Sequence, residues 1–154
     1  MVTPADVNVK LVKNNGVSKP VNYQSMVGSL LYASIATRPD IAQAVEAVSK
    51  FNSCPTEAHL TAVKQIFRYL KGSINLGIKY ERSADNHLVG FSDADWAGDM
   101  DDRHSTTGNL FVMSGAAINW ISKKQPVVAL STTEAEYVAL SSATQEAVWL
   151  GRLL

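Results

Sequence analysis

The sequence predicts an α+β fold, helical in front and mixed behind, and three observations carry that reading. Apolar residues recur at helical spacing between Tyr23 and Lys71. Beyond Gly72 the spacing shortens to two, the period of a strand. A last helical pattern, opened by Ser131, then runs to the end of the chain. Strand, hairpin and helix in that order make the rear half α+β.

The elements follow one by one. Residues 1–22 show no clear period, contain Asn14-Asn15-Gly16, and read as an extended arm. From 23 to 35, Met26, Val27, Leu30, Leu31 and Ser34 share a helical face, with Asn22 placed as N-cap. Pro39 then opens a second helix at its first position, where a missing N–H costs nothing, and Asp40 suits the positive end of its dipole. Its apolar stripe is Ile41, Val45, Val48 and Phe51. Residues 52–55 break the pattern, and Thr56 caps a third helix that runs to Lys71 and stops at Gly72. Leu76, Ile78 and Tyr80 alternate with Gly77 and Lys79 as a short strand, and 88–93 is a second. Residues 107–113 and 116–121 form a hairpin around Ser114-Gly115. Gln125-Pro126 ends it, and the final helix starts at Ser131.

The length, 154 residues, suits one ordinary domain or two small units, and 46% hydrophobic residues is too many for a disordered chain. No apolar run is long enough to span a bilayer, and no secretory signal pattern opens the chain, so no membrane partner is expected. The single cysteine, Cys54, fits a reducing intracellular compartment, cytoplasm or nucleus. The 14 basic and 14 acidic residues cancel only in the total. Residues 1–82 hold ten Lys/Arg against five Asp/Glu, and residues 83–154 hold four against nine. The halves are therefore +5 and −5, a pattern that suggests a polyanion partner for the first and a cation site or a solvated surface for the second.

Five of those nine acids fall within ten residues: Asp93, Asp95, Asp99, Asp101 and Asp102. Strand alternation puts Val89, Phe91 and Asp93 on one face, and the bulkier apolar face is expected to pack against a helix. In the last helix, Ser131-Thr132-Thr133-Glu134 is a capping-box pattern, which gives Glu134 a structural task. Glu136 lies in line with Leu140, Ala143, Ala147, Leu150 and Leu154, expected as the buried seam. Two inward carboxylates need a partner, and a shared divalent cation is one solution beside the plainer one of an acidic loop and a partly exposed Glu.

The run Gly90-Phe91-Ser92-Asp93-Ala94-Asp95-Trp96-Ala97-Gly98-Asp99, followed by residues 102–108, resembles the start of the ribonuclease H module of copia-type LTR retrotransposon Pol polyproteins. Ser122-Lys123-Lys124-Gln125, the stretch 128–137 and Glu146-Ala147-Val148-Trp149-Leu150 continue the likeness in order. Upstream, residues 23–32, Thr37-Arg38-Pro39-Asp40-Ile41 and Arg68-Tyr69-Leu70-Lys71-Gly72 resemble the segment between that family's polymerase core and ribonuclease H. The resemblance implies a helical connection segment over 23–82 and the N-terminal part of a ribonuclease H-like fold over 83–154. It also implies hydrolysis of the RNA strand of RNA–DNA hybrids with Mg²⁺, or Mn²⁺ in its place. Carried over by position, Asp93 and Glu136 are the catalytic and metal carboxylates, with Asp95 and Glu134 as competing assignments.

The sequence departs from the family at His104, where Arg or Lys is usual, and at Asn109, where Tyr is common. The family's third catalytic Asp and a further acid lie beyond the helix with which these 154 residues end. Two of four carboxylates neutralise and position two ions poorly. The expectation is a polyprotein fragment with little or no nuclease activity in isolation. The alternatives are a product that binds nucleic acid or a related polyprotein without cutting, and an inert remnant. The hybrid and the rest of the Pol polyprotein are the implied partners.

Lys64, Arg68 and Lys71 fall at i, i+4 and i+7, opposite Leu60, Val63, Phe67 and Leu70, and are candidates for phosphate contact against the plain reading of a solvated face. Lys123 and Lys124 are a second pair of that kind. His59, His87 and His104 share no metal spacing with Cys54. Trp120 and Trp149 are expected in the core, while Trp96 stands beside the acidic loop.

Overall fold

The computed structural model describes residues 3–6, 9–13, 22–82 and 86–154. The chain divides into two compact units, 1–77 and 78–154.

The first unit is helical: α1 (Tyr23–Ala36), a single 3₁₀ turn (Pro39–Ile41) leading into α2 (Ala42–Ser49), and α3 (Glu57–Gly72). Its core is built from Tyr23, Val27 and Leu30 of α1, Ile41, Val45 and Val48, and Leu60, Val63 and Ile66 of α3. The Tyr23 hydroxyl donates to the Val48 carbonyl at 2.7 Å, and burial pushes its phenol up to about 12. The expected second helix starts later than Pro39. Ile41 N–H bonds the Arg38 carbonyl three residues back, and the Asp40 carboxylate is drawn to Arg38 instead of to the helix end. Asn22 stands at the head of α1 but makes no side-chain cap bond; only its carbonyl accepts, from Met26 N–H.

Thr56 does cap α3, with His59 as its reciprocal partner. Thr56 N–H donates to His59 Nδ1 at 2.9 Å, which leaves Nε2–H to donate to the Val12 carbonyl at 3.1 Å. The ring is buried and stacks on Phe51, centroids 4.0 Å apart. Val12 and Leu11, which packs on the core, belong to the expected extended arm. Residues 1–2, 7–8 and 14–21 of that arm lie outside the described residues.

The second unit is a three-stranded antiparallel sheet, β1 (Val89–Asp95), β2 (Thr106–Met113) and β3 (Ala116–Lys124) in that order, with α4 (Thr132–Leu153) against β1 and β2. The hairpin turn has positive φ at both Ser114 (54°) and Gly115 (77°), the geometry that matches the twist of two tightly linked strands. A register shift at Phe111/Val112 marks a bulge. Residues 76–80 are not a strand. They join no ladder, and Tyr80 and Glu81 are tied to the hairpin through Ala117 O and Ser114 O. Period-two spacing is shared by any extended segment, and only ladder partners make it a strand.

Two facing expectations are overturned. Gly90 lies opposite Phe111 in the β1–β2 register, and a Cβ on Gly90 would sit 2.7 Å from the Phe111 ring. Phe111 packs with Ala143 and Leu150 of α4, joined by Leu88. The strand face turned toward α4 is therefore that of Leu88 and Gly90, not that of Val89, Phe91 and Asp93; Val89 is 47% and Phe91 57% exposed. In α4 the buried seam is Ala135, Ala139, Ala143 and Leu150, while Leu140 is 53% exposed. Small residues face the sheet because strand side chains such as Phe111 fill the gap, and the bulky residues are left outside.

Candidate functional site

Once β1 is turned as described, Asp93 projects from the open face of the sheet, paired across the ladder with Gly108, and is exposed. Asp95 ends β1, and its carboxylate lies against the backbone of Gly98, where a Cβ would collide with it. Glu134 does the capping task expected of it with one shift: its N–H donates to Ser131 Oγ at 3.1 Å, and its Oε2 accepts from Leu130 N–H at 2.7 Å. Glu136, one residue past the seam, is exposed. The seam argument for Glu136 and the facing argument for Asp93 therefore both lapse, and neither carboxylate needs a cation to offset burial.

Their oxygens are the hard donors that Mg²⁺ takes, but they are too few for the group the resemblance implies. Among the described residues, no three His, Cys, Asp or Glu side chains come together as a metal-holding group. The residues present do not by themselves make a magnesium site.

The acidic loop between β1 and β2 is occupied from within. Lys124, at the end of β3, donates to Asp99 at 2.8 Å and also to Asp102. Lys124's hydrogen bond holds the Asp102 carboxyl below its ordinary range. Burial acts to lower the Lys124 ammonium, but its bonds to Asp102 and Asp99 outweigh that and hold it above its ordinary range. Lys124 is thus an internal clamp, and of the expected pair only Lys123 remains on the surface.

The loop is further tied by Ala97 N–H to Ser105 Oγ and by His104 Nδ1 to the Gln125 carbonyl at 2.7 Å. Gln125 does more than end the hairpin. It is buried, and its Nε2 donates to Thr107 Oγ1 at 3.0 Å and to the Ala135 carbonyl at 2.9 Å, joining β2 to the first turn of α4. It positions Glu134 and Glu136 relative to the sheet. The only trace of this in the sequence is a Gln in the otherwise polar run that closes the hairpin.

The basic face of α3 is where the expectation meets geometry. Lys64, Arg68 and Lys71 are all exposed, and no ion pair or hydrogen bond to them is found among the described residues. Val63 and Ile66 take the buried side, and Phe67, expected there too, is 36% exposed at the border of the basic face. Of the tryptophans, Trp96 donates to the Ala129 carbonyl at 3.2 Å, Trp120 is half-buried, and Trp149 is 54% exposed, not the core residue expected.

The chain is 52% identical over 132 residues to a secreted RxLR effector protein of Plasmopara viticola, covering 86% of this chain and 93% of that protein. It is 51% identical over 143 residues to the retrovirus-related Pol polyprotein from transposon TNT 1-94 of Nicotiana tabacum, and 43% identical over 156 residues to that from transposon RE1 of Arabidopsis thaliana. These matches cover 93% and 100% of this chain but 11% of each polyprotein, so the chain spans about a tenth of their length. No family model and no solved structure matches it.

Proposed function

The chain belongs to the retrovirus-related Pol polyproteins of copia-type transposons, and from that premise we propose that these 154 residues are a segment that binds nucleic acid but does not cleave it on its own. The first unit corresponds to the connection that follows the polymerase core, and the second to the front of the ribonuclease H-like module. The observation that carries the proposal is the face of Lys64, Arg68 and Lys71: three exposed cations, spaced to follow a backbone, in a unit of excess positive charge. Asp93 and Glu136 hold the positions of the family's first two carboxylates, and an RNA–DNA hybrid is the ligand class this reading gives the segment. The rest of the Pol polyprotein is the second partner.

The test is one titration and one gel. The full chain should bind an RNA–DNA hybrid with an affinity that falls steeply with salt, and Lys64→Ala/Arg68→Ala/Lys71→Ala should flatten the log–log salt slope by about 2–3 for three lost phosphate contacts. The hybrid should stay intact with Mg²⁺ or Mn²⁺. Unchanged affinity and slope in the triple variant would refute the binding surface, and Mg²⁺-dependent cleavage abolished by Asp93→Asn would refute the non-cleaving reading.

A further inference from the structure

Exposure of one aromatic is not evidence by itself, since many large apolar side chains of this chain are exposed. Phe67 differs in its setting. It lies three residues after Lys64 and four before Lys71, the two spacings that make neighbours on a helix surface. The buried side of α3 is filled without it by Val63 and Ile66. One strip of helix about 10 Å long thus presents Lys64, Phe67, Arg68 and Lys71 together.

We infer that Phe67 makes this strip a reader of unpaired bases, so that its preferred ligand is single-stranded nucleic acid rather than a duplex. The inference rests on the nucleic-acid reading above and narrows it. Phosphates are equally available on one strand or two, and the three cations cannot tell them apart. The π-face of a base is different: in a duplex it is covered by the neighbouring pairs, and in a single strand it is open to an aromatic ring. Cations that follow the backbone with an aromatic ring along their border are the parts of a sequence-tolerant single-strand site. No covalent step is involved.

The experiment compares fluorescence anisotropy of labelled oligothymidylate, an RNA–DNA hybrid and a DNA duplex of equal length with the full chain. Oligothymidylate should bind more tightly than either duplex. Phe67→Ala should weaken it about fivefold or more, the loss of one base–aromatic stack, and leave the hybrid unchanged. Phe67→Leu, which keeps apolar bulk and so guards against a folding defect, should show the same selective loss, and Phe67→Trp should restore binding. Equal loss on all three ligands, or no loss on oligothymidylate, overturns the inference while the phosphate surface stands. If the triple cation variant binds all three ligands as before, the underlying reading fails instead. Self-association abolished by Phe67→Leu, with nucleic-acid binding untouched, would assign the strip to a second copy of the chain and also overturn it.

Discussion

Arg38 shows how much one residue can organise in a small helical unit. Its guanidinium bonds both oxygens of Asp40 (2.9 and 2.7 Å) and both the hydroxyl and the carbonyl of Ser73, and stacks over the Tyr69 ring at 5.6 Å. Tyr69 in turn donates to Asp40 at 2.8 Å. The 3₁₀ turn and the end of α3 are thereby locked together by a planar fork that lysine cannot imitate. Arg38→Lys should cost about 1–3 kcal/mol, since hydrogen bonds to a charged group are lost at a buried site. Arg38's hydrogen bonds, and then Tyr69's, hold the Asp40 carboxyl below its ordinary range. Because the folded value is depressed, this contribution is fully present above the unfolded Asp value of about 4. It is lost as pH falls through the lower folded value. Urea midpoints of wild type and Arg38→Lys should therefore differ at neutral pH and converge in acid. A gap that persists undiminished at low pH would refute this role for the pair.

At the scale of the element, β1 is defined by what its glycine permits. Phe111 lies over Gly90 because no Cβ is there, and that contact decides which face of the strand meets α4. Gly90→Ala should destabilise the sheet unit by about 1–3 kcal/mol, the usual cost of overpacking a core ring. A denaturation midpoint equal to wild type would sink the assignment. The same contact explains the limits of the sequence. The caps at Thr56 and Ser131 were legible, because each is a local match between side chain and orphan N–H; the start of the second helix and a cap at Asn22 were not. Facing was not. Alternation divides β1 into two sets, but bulk chose the wrong one, since the ring that fills the interface comes from β2 and needs a gap, not a partner, on β1. The seam of α4 misled in the same way: Ala135 and Ala139 carry no strong apolar signal, while Leu140 and Trp149 do and are exposed. The motif residues Asp93 and Glu136 could be located, but not where they point.

At the scale of the whole molecule, neutrality is the sum of two unlike units. Residues 1–77 hold eight Lys/Arg against four Asp/Glu, and 78–154 hold six against ten. Each unit also has its own core: Tyr23 to Ile66 supply one, and Phe111, Ala143 and Leu150 with their neighbours supply the other. Units of this size bury a modest share of their surface and are marginal alone, so each should melt when its own core fails. The second core is the smaller and leans on alanine, so it should fail first. Thermal unfolding of the full chain should then show two transitions. Gly90→Ala should lower only the first and Arg38→Lys only the second, by about 4–8 °C for each kcal/mol lost. One transition that both substitutions move alike would mean that the two cores stand or fall together. In that case the basic face of α3 and the carboxylates of the sheet unit could not be lost separately. Two transitions would let nucleic-acid binding by α3 survive the melting of the sheet, a prediction checked by measuring anisotropy between the two midpoints.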